Sequence, residues 1–311
     1  MENQARLTFW GCRGSIPTPG PDTVVFGGNT SCVSIEYGQH LLIFDAGTGL
    51  RVLGKRLVSR PDPEGVQGHI FLSHAHWDHI QGLPFFVSAF RLGAPFTIYG
   101  ERKGELSLAD ILGAQMQTPF FPVSMEMGFQ SNVQLQEVAP EQSLPIGTDI
   151  TVTPFQLHHP GGAVGYRARI GDVSIAYVTD HEHPVGEVDS IVLSAVREVD
   201  ILIHDAQYSR VELMQSKLGW GHSAWEDVID LARAAQVKQL FLFHHDPTRT
   251  DEELSQREQL AQDLFPPTRI AREGLQVDLS SFVRMPQAMS FRKEEPAASH
   301  VAREMWNGAA A

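Results

Sequence analysis

The residues able to do chemistry in this chain are histidines and aspartates. There are 14 histidines, and twelve of them fall between His69 and His245. They come in groups: His74, His76 and His79; His158 and His159; His181 and His183; His244 and His245. A buried structural histidine is usually single, whereas clusters mixed with aspartate point to metal or proton chemistry. The densest run is Ser73-His74-Ala75-His76-Trp77-Asp78-His79, which spells H-x-H-x-D-H. His74 and His76 lie two apart just past an apolar run, so both can reach one ion. Asp78 and His79 are the next donors and can reach a second ion. Two-metal hydrolytic sites hold their ions roughly 3.5–4 Å apart and need a bridging ligand. Imidazole and carboxylate donors suit Zn, and also Mn or Fe.

Such donors need elements to position them. Short apolar runs bounded by Gly, Pro or charge read as strands at residues 7–11, 32–37, 41–45, 70–73, 96–99, 150–157, 164–170, 173–179, 201–204 and 239–244. Five of these runs end in Asp or His, at Asp45, His74, Asp180, Asp205 and His244. Layered α/β folds collect ligands beyond the carboxyl ends of their strands, so five such ends predict one shared site. Helical spacing appears at 49–58, 80–90, 106–116, 223–235 and 252–264. Ser223 with Glu226 reads as a capping box, and Asp251 as the cap of the last helix. No fixed-period repeat is present.

Composition bounds the answer. The 311 residues carry 24 Lys+Arg against 37 Asp+Glu, a net charge of −13, and 42% are hydrophobic. A chain this long buries a full core without staples. Two cysteines, Cys12 and Cys32, exclude a disulfide framework. No apolar run approaches the roughly 18 residues of a membrane span. The N-terminus shows no secretory signal, so a cytoplasmic location is expected. The acidity argues against gripping long nucleic acid through its phosphates. A small anionic substrate remains compatible where metal ions supply positive charge. Residues 1–285 read as one catalytic domain, and the polar, Ala-rich residues 286–311 as a mobile tail or at most a short docking helix.

On the H-x-H-x-D-H motif, the sequence resembles the metallo-β-lactamase-fold hydrolases over about residues 5–280. The resemblance implies an α/β four-layer αβ/βα sandwich. It assigns His74, His76 and His159 to one ion and Asp78, His79 and His244 to the other, with Asp180 bridging. Two divalent ions follow, Zn first, with Mn or Fe as alternatives. His158 could replace His159, and His245 could replace His244. His159 is preferred because it precedes the Pro-Gly-Gly turn, His244 for its spacing from the strand. Asp45 in FDAGTG looks like the family's strand-end aspartate, either orienting a ligand histidine or capping a turn.

Within that superfamily the chain looks most like the ribonuclease Z and cyclic-nucleotide phosphodiesterase branch. His204-Asp205-Ala206-Gln207 is similar to an H-E-A-T segment, and Gly221-His222-Ser223-Ala224 to a G-H-S-T segment. The resemblance makes His222 a general acid held by Asp205, a pair that class B β-lactamases lack. Structural readings of His204 as a packed strand histidine and of His222 as a helix neighbour stand beside it. The opening W-G-x-R-G-S-I-P and G-G-N-T-S-C segments resemble a bacterial subgroup linked to cyclic-nucleotide phosphodiesterase activity. They bring Asn29 and Thr30, with His181 and His204, into consideration as supporting or substrate residues. Their alternative is a structural turn, with Arg13 in a buried ion pair.

The implied reaction is in-line attack on a phosphodiester by a water activated between two ions. Asp78 and Asp180 orient that water, and His222 protonates the leaving oxygen. Ribonuclease Z holds tRNA with an inserted basic arm, and the 20 residues between His159 and Asp180 leave no room for one. A small nucleotide, such as a 3′,5′-cyclic nucleotide, is therefore preferred to a ribonuclease Z-like substrate. A lactonase or carboxylic-ester hydrolase is the other alternative, with Tyr208 as its polarising group. The aromatics of residues 117–123 read as core or homodimer contact ahead of a base-stacking lid. Trp77 is expected to pack below the site ahead of a role in holding substrate.

Overall fold

The computed structural model describes residues 5–60, 66–90, 95–129 and 133–283. The tail expected at 286–311 lies outside the described residues. Among the described residues, fourteen strands form two seven-stranded sheets. In chain order the first sheet contains β1 (Arg6–Gly11), β2 (Cys32–Tyr37), β3 (His40–Phe44), β4 (Gln67–Phe71), β5 (Phe96–Gly100) and β6 (Val133–Glu137). The second contains β7 (Leu144–Ile146), β8 (Ile150–Leu157), β9 (Ala163–Ile170), β10 (Val173–Val178), β11 (Ile201–Asp205), β12 (Gln239–Phe243) and β13 (Thr268–Ile270). The last strand, β14 (Gln276–Asp278), returns to the first sheet beside β1. The strand orders are β14-β1-β2-β3-β4-β5-β6 and β13-β12-β11-β10-β9-β8-β7.

The apolar runs are continuous because the central strands are buried on both faces. Leu42 and Phe44 of β3 join Ile201 and Ile203 of β11 and Phe241 and Phe243 of β12 in the core between the sheets. The alternate residues Leu41 and Ile43 turn outward onto Leu50, Leu53 and Leu57 of the helix Gly49–Val58. Leu202, Leu240 and Leu242 likewise meet Val228 and Leu231 of Trp225–Ala234 and Leu254 of Asp251–Leu264. Helix, sheet, sheet, helix is the four-layer sandwich expected. No helix among the described residues is long and apolar enough to cross a membrane. Cys12 and Cys32 are free and buried.

β3 to β6 run parallel, as do β10 to β13. Their carboxyl ends therefore share one edge of the sandwich, the edge that carries the aspartates and histidines. Asp45, Asp180 and His244 each follow their strand in a left-handed conformation, at φ 60, 48 and 57°. Such backbone is costly outside glycine and concentrates at functional turns.

Three local expectations are corrected. Residues 80–90 do not form one helix: Trp77–Ile80 is one turn, and a second short turn, Leu83–Phe85, starts at Gly82 with Pro84 inside it. Ser223 does not cap Trp225–Ala234, because its hydroxyl donates to the His181 carbonyl at 2.5 Å and Ala224 takes the cap position. Thr250, not Asp251, caps Asp251–Leu264 in a capping box with Glu253. The Asp251 carboxylate instead accepts from the Val25 and Phe26 amides at 2.8 and 3.0 Å.

Candidate active site

Asp45 is the hub beneath the site. Its carboxylate accepts four hydrogen bonds: from the Ser73 amide (2.7 Å), the Ser73 hydroxyl (2.9 Å), His79 Nδ1 (2.8 Å) and the Tyr177 hydroxyl (2.8 Å). Because the Ser73 hydroxyl donates to Asp45, it accepts from His74 Nδ1 at 3.0 Å. One carboxylate thus sets the tautomers of two histidines and turns both Nε2 lone pairs toward the cavity.

The imidazoles of His159 and His244 are set the same way by other groups. His159 Nδ1 donates to the Gly221 carbonyl at 2.8 Å, and His244 Nδ1 to Gln207 Oε1 at 3.2 Å. Their free nitrogens meet at Asp180. Asp180 Oδ1 lies 3.3 Å from His79 Nε2 and 3.1 Å from His244 Nε2. Its other oxygen, Oδ2, lies 3.6 Å from His74 Nε2 and 3.7 Å from His159 Nε2. Asp78 Oδ2 lies 3.1 Å from His244 Nε2 and 3.2 Å from His79 Nε2.

Two donor sets result: His74, His76, His159 and Asp180, and Asp78, His79, Asp180 and His244, the donor atoms of each lying within 4.8 Å of one another. Asp180 belongs to both. The donor set fits divalent cations on the chain's own chemistry. Lone pairs face lone pairs: His79 Nε2 and His244 Nε2 are 3.2 Å apart, and His159 Nε2 and His76 Nδ1 3.1 Å apart. His74 Nε2 is buried without a hydrogen-bond partner. Buried acceptors so arranged need shared positive charge. The titration directions agree. Burial alone would raise the Asp78 carboxyl, yet His79 and His244 hold it far below the usual carboxylate range. Burial likewise opposes charge on His79, but Asp180, Asp78 and Asp45 drive its pKa well above the usual value.

His222 stands beside these sets. Its Nδ1 lies 2.9 Å from Asp205 Oδ2, and its ring stacks on His244 at 5.1 Å. Burial would lower its pKa, but Asp205 carries it up to about 9. With Nδ1 committed to Asp205, Nε2 is left for the cavity. That cavity, about 430 Å³, is walled by Ser15, Ala75, His76, Trp77, Asp78, Asp180, His222 and His244. Asp205, His222, Asp180 and His244 also form a third, overlapping donor set.

The structure brings His74, His76, Asp78, His79, His159, Asp180, His244, Asp205 and His222 together, with Asp45 beneath them. His158 is exposed and contacts the Glu182 carbonyl, while His245 bonds the Ala271 carbonyl at 2.8 Å. Neither neighbour shares in the donor sets.

Of four further residues considered for supporting or substrate roles, two lie away from the donor sets. Asn29 bonds Glu273 through both its amide groups, and Thr30 pairs reciprocally with Thr48 at 2.9 Å. Both brace loops because their polar groups are consumed there. His181 and His204 sit behind Asp205: the His181 amide donates to Asp205 Oδ2 at 3.3 Å, and His204 Nδ1 to the Asp205 carbonyl at 2.8 Å.

Trp77 is also corrected. It is 81% exposed, because its one-turn helix buries Asp78, His79 and Ile80 instead. Arg13 is fully buried but donates to the carbonyls of Gly27 and Arg249, at 2.8 and 2.7 Å, tying loops together. Phe121 packs edge-on against Phe85, whereas Phe120 is exposed. Tyr208 is buried and does not line the cavity.

Several contributors escaped the sequence reading. The Ser15 amide donates to Asp78 Oδ2 at 2.7 Å, and Gln207 bridges Ser15 to His244. The loop reaches this position because Gly14 lies flat on His244, where a Cβ would sit 2.5 Å from the ring. Glu182 accepts from the Gly219 and Gly221 amides at 2.8 and 2.7 Å, clamping the segment before His222. Gly221 takes φ +85°, and a Cβ there would strike His159 Nδ1 at 2.1 Å.

Residues 40–245 match the family model described as the beta-lactamase superfamily domain, and the chain belongs to that family. It is by class a metal-dependent hydrolase. Among curated relatives, the ribonuclease Z of Picrophilus torridus is 26% identical over 322 residues, covering 90% of this chain and 97% of that protein. Among solved structures, the metallo-beta-lactamase fold protein YhfI from Bacillus subtilis aligns with TM-score 0.65 at 20% identity. The alignment covers 89% of this chain and 100% of that one. Human tRNase Z, short form, aligns with TM-score 0.63 at 20% identity, covering 88% and 98%. These structures share the fold.

Proposed function

We propose that the protein is a dinuclear metal-dependent phosphodiesterase acting on small phosphodiesters, 3′,5′-cyclic nucleotides first. The observation that carries this reading is the Asp205–His222 pair, 2.9 Å apart, on the cavity wall beside two donor sets. His74, His76 and His159 would hold one ion and Asp78, His79 and His244 the other, with Asp180 shared. Zn is the first expectation for that donor chemistry. When bound, the two ions supply an activated water and offset charge building on phosphorus.

The chain does the rest. Asp45, Gln207 and the Gly221 carbonyl fix which imidazole nitrogens face the cavity. Asp78 is held by the Ser15 amide, so its carboxylate is oriented before substrate arrives. His222 presents Nε2 to the cavity and donates a proton to the leaving ribose oxygen, which is a poor leaving group without one. Asp205 keeps the imidazole in the donating orientation throughout.

The ribonuclease Z relatives, alike over most of their length, favour a second reading as an endoribonuclease. Two observations weigh against it. Residues 160–179 are taken up by a tight turn and by β9 and β10, and the net charge is −13. Phosphate-driven binding to a long RNA would be weak and strongly salt-dependent. The deciding experiment offers the metal-reconstituted protein cyclic nucleotides, a precursor tRNA and a lactone at physiological salt. Cyclic-nucleotide hydrolysis well ahead of the others is expected. Efficient tRNA cleavage would install the second reading.

A further inference from the structure

Trp77 is 81% exposed, yet it forms part of the wall of the cavity that holds His76, Asp78, Asp180, His222 and His244. The other wall residues are Ser15 and Ala75, so among the described residues the indole is the cavity's one large apolar surface. Tryptophan is highly buried on average. Here the buried positions of its helix belong to Asp78, His79 and Ile80, and the indole contributes little to the core. Its backbone is fixed from both sides. The His79 amide donates to the His76 carbonyl at 3.0 Å and the Gln81 amide to the Trp77 carbonyl at 2.8 Å, and Asp78 accepts from the Ser15 amide at 2.7 Å. A side chain with two rotatable bonds on a fixed backbone offers a flat apolar face at low entropic cost.

We propose that Trp77 is a specificity-determining residue that stacks on the base of the substrate. The substrate class is then phosphodiesters of nucleosides, purine ahead of pyrimidine, rather than sugar-only or aliphatic phosphodiesters. The proposal rests on the phosphodiesterase reading. Stacking of a base on an aromatic side chain is worth roughly 5- to 150-fold in affinity.

The test uses binding and turnover separately, on metal-loaded wild type, Trp77→Ala, Trp77→Leu and Trp77→Phe, each checked for ion content. Calorimetry compares adenosine 5′-monophosphate with ribose 5-phosphate. Wild type should favour the nucleotide at least about fivefold. Trp77→Ala and Trp77→Leu should lose that preference, and Trp77→Phe should keep most of it. In turnover, the preference for cyclic AMP over its abasic analogue, methyl ribofuranoside 3′,5′-cyclic phosphate, should fall in parallel through KM.

Equal wild-type affinity for the two monophosphates would overturn the proposal. So would an alanine variant that weakens both equally or loses ions, since Trp77 would then be a structural part of the metal motif. If the binding preference behaves as expected but no phosphodiester is cleaved, the base-stacking wall stands and the reaction class falls.

Discussion

Two buried histidine clusters lie at the same edge of the sandwich. One is the strand-end set of His74, His79, His159 and His244. The other is His181, His183 and His204. In the first, each Nδ1 is tied back by a hydrogen bond, and the Nε2 lone pairs converge on Asp180 and Asp78. In the second, the rings face mainly one another. His181 Nδ1 accepts from the His158 amide at 3.0 Å, leaving Nε2 to donate to His183 Nδ1 at 3.2 Å. His183 stacks on His204 at 5.3 Å, and Nε2 of each is buried without a hydrogen-bond partner. The ring-to-carboxylate approach in this cluster, His181 Nε2 to Asp189, is 3.9 Å. Burial, with His183 alongside, pushes His204 down to about 3, so it stays neutral. Histidine density therefore does not define a metal site. Carboxylates facing oriented lone pairs do.

That contrast can be broken by removing the shared carboxylate. Asp180→Asn keeps the shape and tolerates the left-handed backbone at φ 48°, so its effect reads the charge. Ion content should fall below two per chain and turnover by about 10⁴-fold or more, seen by elemental analysis and steady-state kinetics. Intact ion content would leave Asp180 without the role given to it. A smaller effect is expected one layer back. Asp45→Asn should weaken metal affinity by roughly 10- to 100-fold in chelator competition, because two ligand histidines lose their orientation together.

The second cluster should respond to acid and not to metal. His204→Gln should keep the wild-type ion content. The His204 pKa is about 3 when folded against 6.5 for the free group, so the unfolded chain takes up the proton first. Stability is then complete above pH 6.5 and is lost as pH falls toward 3. In chelator, wild type should lose up to about 1.4 kcal/mol more per pH unit than His204→Gln across that window, measured by denaturant unfolding. Parallel slopes would show that His204 does not titrate in this way.

The donor residues were legible because they sit in short motifs at the ends of apolar runs. H-x-H-x-D-H compresses four donors into six residues, and Asp180, Asp205 and His244 each close a strand. The four-layer fold was legible from the same runs. What positions the donors was not. Tyr177 reaches Asp45 across 132 residues of sequence, and the Ser15 amide that holds Asp78 is a backbone group with no residue-type signal. The edge strands β6, β7, β13 and β14 were missed because they are short, and β6 is polar at most positions. The helix expected at 80–90 and the burial expected of Trp77 failed together. Gly82 and Pro84 end the helix early, and the buried positions of its single turn go to Asp78, His79 and Ile80.

The central claim is that His222 donates the proton to the leaving oxygen beside a two-metal cluster. His222→Ala tests it with two substrates of different leaving group. A cyclic nucleotide expels a ribose alkoxide that needs a proton, whereas p-nitrophenolate leaves unaided from bis-p-nitrophenyl phosphate. The variant should keep the wild-type ion content. It should lose roughly 10²- to 10⁴-fold in kcat on the cyclic nucleotide and far less on the nitrophenyl ester. Loss of metal, or equal slowing of both substrates, would contradict the account and make His222 a ligand or a structural residue.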